Sequence, residues 1–112
     1  MPREIKSAII ESVSLSTADH GCLTMWVYLD YGGSGQGFGG HALYLPRDLS
    51  NHGDGKNYAG IFVWRVLEVA GVERWSDLKG KTVRVRATHE KVEAIGHIVK
   101  DNWFYPSVEF GK

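Results

Sequence analysis

Residues 22–30, CLTMWVYLD, alternate with a period of two: Leu23, Met25, Val27 and Leu29 on one face, Thr24, Trp26, Tyr28 and Asp30 on the other. That period predicts a half-buried β-strand. Its outer face is unusual, because it carries two large aromatics in place of charges. Residues 4–15, EIKSAIIESVSL, are rich in Ile and Val and bounded by STADHG, which predicts a strand and a turn. After the glycine-rich DYGGSGQGFGG, the segment GHALYL predicts a strand ended by Pro46, and RDLSNHGDGK a polar loop. NYAGIFVWRVLEVAG has helical spacing, with an apolar stripe of Ile61, Val63 or Trp64, Leu67 and Ala70. Asn57 is placed to cap its start and Gly71 its end. RWSDLKGK predicts a short helical turn, and TVRVRAT and VEAIGHIVKD two strands joined by the charged turn HEK. NWFYPSVEF is an aromatic tail. Strands, one helix and strands again predict a single α+β domain over residues 1–112, with a mostly antiparallel sheet of about five strands and one main helix.

Composition narrows the function classes. The 13 basic and 13 acidic residues balance, which argues against duplex DNA or an anionic membrane as partner. No apolar run reaches the roughly 20 residues that span a bilayer, and the charged start MPREIKSAII lacks a signal-peptide core. The lone Cys22 excludes an internal disulfide and leaves the redox compartment open, with the cytosol favoured. The expectation is a cytoplasmic protein.

The six glycines of residues 32–40 raise the possibility of a phosphate cradle. Gly35, Gly37 and Gly40 match G-x-G-x-x-G. A dinucleotide fingerprint needs a following helix to hold the pyrophosphate, and here a predicted strand follows. The lysine and hydroxyl residue of a P-loop are missing. The alternative is a bulged hairpin whose glycines let Trp26, Tyr28 and Phe38 pack across it.

No histidine pair stands at metal-ligand spacing, Cys22 has no partner cysteine, and neither a nucleophile elbow nor a Cys–His pairing is visible. No catalytic residue, metal or cofactor is therefore expected. His97 reads as a packed, hydrogen-bonded residue. Residues 79–91 are locally basic, and Arg84 and Arg86, two apart on a strand, project from one face. Two guanidiniums so placed suit a phosphate pair, although a solvated sheet face carries such residues equally well. Many of the four Trp, five Tyr and four Phe must be core, but the cluster WFY at 103–105 and Trp26 with Tyr28 exceed what so small a core easily hides. Aromatic faces, arginines and glycine backbone together suit a nucleotide; a self-association interface is the other use of surplus aromatics.

Three stretches carry a family resemblance: ADHGCLTMWVYLDYGGSGQGFGG, AGIFVWRVLEVAGVERWSDLKGKTVRVR and AIGHIVKDNWF. Over most of residues 18–105 the chain resembles the first-described type of Thoeris anti-defence proteins, small phage and prophage proteins. The resemblance implies a sponge in the host cytoplasm that binds cyclic ADP-ribose isomers, in some members also cyclic oligonucleotides, without degrading them. It implies a homo-oligomer built from dimers, with nucleotide pockets near the dimer interface. Projected onto this chain, it sets Phe38 or Tyr58 against adenine, Arg84 and Arg86 on the diphosphate, and Asn57 and Gln36 on ribose or base edges. Arg65 is a further ligand-binding position, or else a solvated or interface-bridging helix residue. Two other classes use the same residues: an inhibitor that masks a host enzyme by surface contact, and a single-stranded nucleic-acid binder.

Overall fold

The computed structural model of the chain describes residues 4–19, 22–41, 43 and 58–110. It has an α+β fold whose sheet has six strands, antiparallel in every pairing: β1 (Glu4–Asp19), β2 (Cys22–Asp30), β3 (Gly35–Gly39), β4 (Thr82–Ala87), β5 (Val92–Gly96) and β6 (Trp103–Phe104), in the order β3-β2-β1-β4-β5-β6. The main helix α1 (Tyr58–Ala70) lies between β3 and β4 in sequence. A short helix α2 (Pro106–Glu109) ends the described chain, with Pro106 at its start, where a missing N–H costs nothing.

Four segments differ from expectation. β1 runs on to Asp19, so STAD, expected as part of a turn, belongs to the strand. The glycine-rich stretch itself forms β3, whereas the strand expected over GHALYL does not begin at Gly40 or His41; residues 42 and 44–45 lie outside the described residues. The alternation of β3, GQGFG, sets glycine against Gln36 and Phe38, so no apolar–polar period shows in the sequence. The strand expected over VEAIGHIVKD stops at Gly96, and the chain then turns and contributes β6 from the aromatic tail, which is the sixth strand. The helix also faces the sheet with a different stripe. Phe62, Val66, Val69 and Ala70 are buried, Ile61, Val63 and Leu67 are partly buried, and Trp64 is 70% exposed. Both stripes are apolar, so periodicity alone does not choose between them. Gly71 ends α1 as expected, with φ +73 and its N–H donating to the Leu67 and Glu68 carbonyls.

Phe62 settles how α1 sits. Its ring centroid lies 5.6 Å from that of Phe38 on β3 and 5.4 Å from that of Phe104 on β6, and Phe38 and Phe104 are 5.9 Å apart. All three side chains are fully buried. The first and last strands of the sheet thus meet across one ring cluster, so the sheet curls around α1. Tyr58 joins through Phe110, at 4.9 Å.

Glycine shapes the outer face. On β2 and β3 the register is continuous from Trp26↔Gly39 to Asp30↔Gly35, so this hairpin contains no bulge. A Cβ on Gly37 would stand 2.9 Å from the Trp26 ring, and one on Gly40, at φ +74, would collide with it. Trp26 therefore lies flat across glycine backbone and stacks on Tyr28, with centroids 6.2 Å apart. Trp103 lies over Gly96 in the same way, 2.6 Å from where a Cβ would be. Adding a methyl at Gly37 should destabilise the fold by about 1–3 kcal/mol through overpacking. The same Gly37→Ala change in a Trp26→Ala background should cost about 1 kcal/mol less, or be neutral, when both are measured by urea unfolding. Equal costs in the two backgrounds would show that Trp26 does not set the need for glycine.

Candidate functional site

Because the sheet curls, the free edge of β3 comes to face β5. Between them lies a cleft of about 710 Å³, within the size range of small-molecule and cofactor sites. One wall is Trp26 from β2 with Gln36, Gly37 and Gly39 of β3. The opposite wall is the β4–β5 turn, with His89, Glu90 and Lys91, and Tyr105 closes one end. The aromatic surfaces of Trp26 and Tyr105 thus border a space that also presents glycine backbone and one lysine. The acidic residues Glu90 and Glu93 line it too. With Lys91 against two carboxylates, affinity for a ligand here rests on stacking and hydrogen bonds more than on bulk charge.

A hydrogen-bond chain spans the seam at this cleft. The Tyr31 hydroxyl donates to Gln36 Oε1 at 2.6 Å, and Gln36 Nε2 donates to the Thr88 carbonyl at 3.0 Å and the His89 carbonyl at 3.3 Å. The turn beyond is folded on Thr88, whose Oγ1 accepts from the Glu90 and Lys91 N–H groups. Lys6 Nζ sits 4.7 Å above the Tyr31 ring. Burial raises the Tyr31 hydroxyl above its ordinary value of 10.0.

Of the sequence-predicted positions, Gln36 lines the cleft. Asn57, expected as cap and ligand contact, lies outside the described residues. Phe38 is 0% exposed and faces Phe62, so it offers no ring face to a ligand; the adenine-stacking role assigned to it is corrected to a core role. Tyr58 is likewise buried, 5% exposed and packed on Phe110.

Arg65 is a tertiary hub. It donates to both carboxylate oxygens of Glu109, at 3.0 and 3.2 Å, to Asn102 Oδ1 and to the Trp103 carbonyl, and it pairs with Glu68. These bonds tie α1 to β6 and α2 within the chain, a role that neither the ligand nor the interface-bridging expectation named.

Arg84 and Arg86 do face away from buried Val83 and Val85, as the alternation required. They are not free in solvent, however. Arg84 donates to the His97 and Lys100 carbonyls, both at 2.8 Å, and holds the β5–β6 loop. Arg86 donates to the Tyr105 hydroxyl, and both guanidiniums stand over the Trp103 ring, at 5.0 and 4.4 Å. Neither lines the cleft, although Arg86 reaches its border through Tyr105. His97 is packed and bonded as expected: its Nδ1 accepts from the Val99 and Lys100 N–H groups.

Trp26, His89, Lys91 and Tyr105 were not among the positions singled out as ligand contacts. The surplus of aromatics and the basic run hinted at them, but their convergence depends on closure across about fifty residues of sequence. Among the described residues no three His, Cys, Asp or Glu side chains are grouped to hold a metal, and no helix is long and apolar enough to cross a membrane. Comparison with protein-family models, with curated proteins and with solved structures finds no match. The likeness to Thoeris anti-defence proteins therefore stands on the sequence pattern alone.

Two outcomes follow from this geometry. Arg84→Ala should lower stability by about 1.5–3 kcal/mol, the range for hydrogen bonds to a charged group, and lysine should recover only part because it lacks the fork. Chemical unfolding checks this, and an unchanged midpoint would return Arg84 to the solvated face. For Tyr31, the folded state disfavours the tyrosinate. Its contribution is fully present below about pH 10 and is lost as pH rises through the raised folded-state value. The stability difference between parent and Tyr31→Phe should accordingly be constant from about pH 7 to 9 and shrink above about pH 10. A difference that stays flat throughout would contradict burial of the hydroxyl.

Proposed function

We propose that the chain binds a nucleotide-type ligand in the cleft between β3 and β5 and holds it without turnover. The observation that carries this reading is the cleft itself. A space of about 710 Å³ is bordered by the Trp26 and Tyr105 rings, by the glycine edge of β3 and by Gln36. Aromatic faces suit a base, worth roughly 1–3 kcal/mol per stacked base. Exposed strand backbone suits base or ribose edges, and Lys91 supplies a cation for phosphate. The resemblance supplies the biological frame: an anti-defence sponge that sequesters cyclic ADP-ribose signals, and in some members cyclic oligonucleotides, in the cytoplasm of the host. The reading as a binder in place of an enzyme rests on that resemblance.

This placement moves the ligand relative to the first projection. The stacking surfaces become Trp26 and Tyr105 in place of Phe38 and Tyr58, and Gln36, whose amide is taken up by Tyr31 and by the Thr88 and His89 carbonyls, lines the cleft with no free donor. Arg86 stands one residue behind the cleft, through Tyr105. A homo-oligomer built from dimers belongs to the same proposal. Trp64, 70% exposed on a helix whose other side is core, is the residue a second copy would cover. A protein-masking inhibitor would use the same exposed Trp64 and no nucleotide.

Calorimetry against cyclic ADP-ribose isomers, cyclic oligonucleotides and short single-stranded DNA should show saturable binding to a cyclic nucleotide. Trp26→Ala should weaken it about tenfold or more, since roughly 1.4 kcal/mol is a factor of ten. The ligand should be recovered intact after heat denaturation and should reactivate its effector enzyme. Hydrolysed ligand would identify an enzyme, binding to DNA alone a nucleic-acid binder, and no binding at all would favour the masking inhibitor. Sedimentation at micromolar concentration should show at least a dimer that Trp64→Lys dissociates; a parent that is monomeric there would reject the oligomer.

A further inference from the structure

The geometry points to Tyr31 and Gln36 as positioning residues that latch the β4–β5 turn and so fix the width of the ligand cleft, an inference that rests on the ligand reading above. The orientation of the latch follows from its partners. The Thr88 and His89 carbonyls can only accept, so the Gln36 amide must turn its NH₂ toward them. Its Oε1 then faces Tyr31, and the tyrosine hydroxyl must donate. Every group in the chain has one role, and no alternative pairing satisfies all of them.

The latch acts on the cleft because of where it ends. Its acceptors are the carbonyls of Thr88 and His89, and the next residues, His89, Glu90 and Lys91, form the wall opposite β3. Within the turn, the Thr88 N–H donates to the Lys91 carbonyl at 2.9 Å, and Thr88 Oγ1 accepts two further N–H groups. The turn is therefore folded by its own bonds. What it lacks within itself is an anchor across the seam, since no strand pairing joins β3 to β5. Gln36 supplies that anchor from the β3 wall, so both walls are referred to one side chain. Without it the β4–β5 turn opens more often, breaking the bonds of the Glu90 and Lys91 N–H groups to Thr88 Oγ1, and a ligand touching both walls meets them at variable separation.

The test uses Gln36→Glu and Tyr31→Phe. The first keeps the acceptor for Tyr31 and sets a carboxylate oxygen against two carbonyls. The second removes only the donor that orients the amide. In the ligand-free protein, amide exchange at His89, Glu90 and Lys91 should quicken about tenfold in Gln36→Glu and by less in Tyr31→Phe, with amides of the β1–β2 pairing unchanged. Affinity for the cyclic ADP-ribose isomer that the parent binds should fall in the same order. Unchanged exchange at the turn would overturn the latch. Faster exchange with parental affinity would overturn its positioning role. A parent that takes up none of the isomers would overturn the ligand reading, and the positioning role with it, whatever the exchange rates.

Discussion

The contact among Phe38, Phe62 and Phe104 is the constraint on which the rest of the molecule depends. An antiparallel sheet with the order β3-β2-β1-β4-β5-β6 has its first and last strands at opposite edges. Three fully buried rings, 5.4–5.9 Å apart in pairs, draw those edges together over one helix. Burying a phenylalanine contributes roughly 1.5–3 kcal/mol, and offset or edge-on ring pairs add about 0.5–1.5 kcal/mol each. The entropy of curling the sheet is offset by a cluster that only a curled sheet can form. A flat sheet would leave β3 and β5 far apart, and there would be no cleft.

Glycine has two uses in this arrangement. On the outer face it removes the side chains that would lift Trp26 and Trp103 off the sheet. On β3 it leaves one cleft wall made largely of backbone, so that a ligand can approach the chain closely. The glycine-rich stretch is thus neither a phosphate loop of a known kind nor a linker. It is an edge strand whose one large side chain, Phe38, points inward to the ring cluster while Gln36 reaches across the seam.

Much of the framework was legible in the sequence, and the reason is local periodicity. β2 and β4 alternate cleanly, α1 has helical spacing, and Gly71 marks its end by a positive φ that glycine tolerates. The outward direction of Arg84 and Arg86 followed from the same alternation. What was not legible is whatever depends on partners distant in the chain. The choice between the Phe62 and Ile61 stripes needed Phe38 and Phe104. The carbonyl partners of Arg84 and the hub at Arg65 needed the β5–β6 loop and α2 in place. The cleft needed both edges of the sheet, and the turn HEK read as an ordinary charged connection until Gln36 was seen to reach it. β6 is too short for any period to show.

The central claim is that a nucleotide-type ligand enters the space between β3 and β5. An amide and indole spectrum recorded while a cyclic ADP-ribose isomer is added tests it most directly. The account predicts saturating shifts at the Trp26 indole and at Gly37, Gly39, His89 and Lys91, with the buried Val83 and Val85 unmoved. Saturating shifts confined to Trp64, or to the loop carrying Ile98 and Val99, would contradict it.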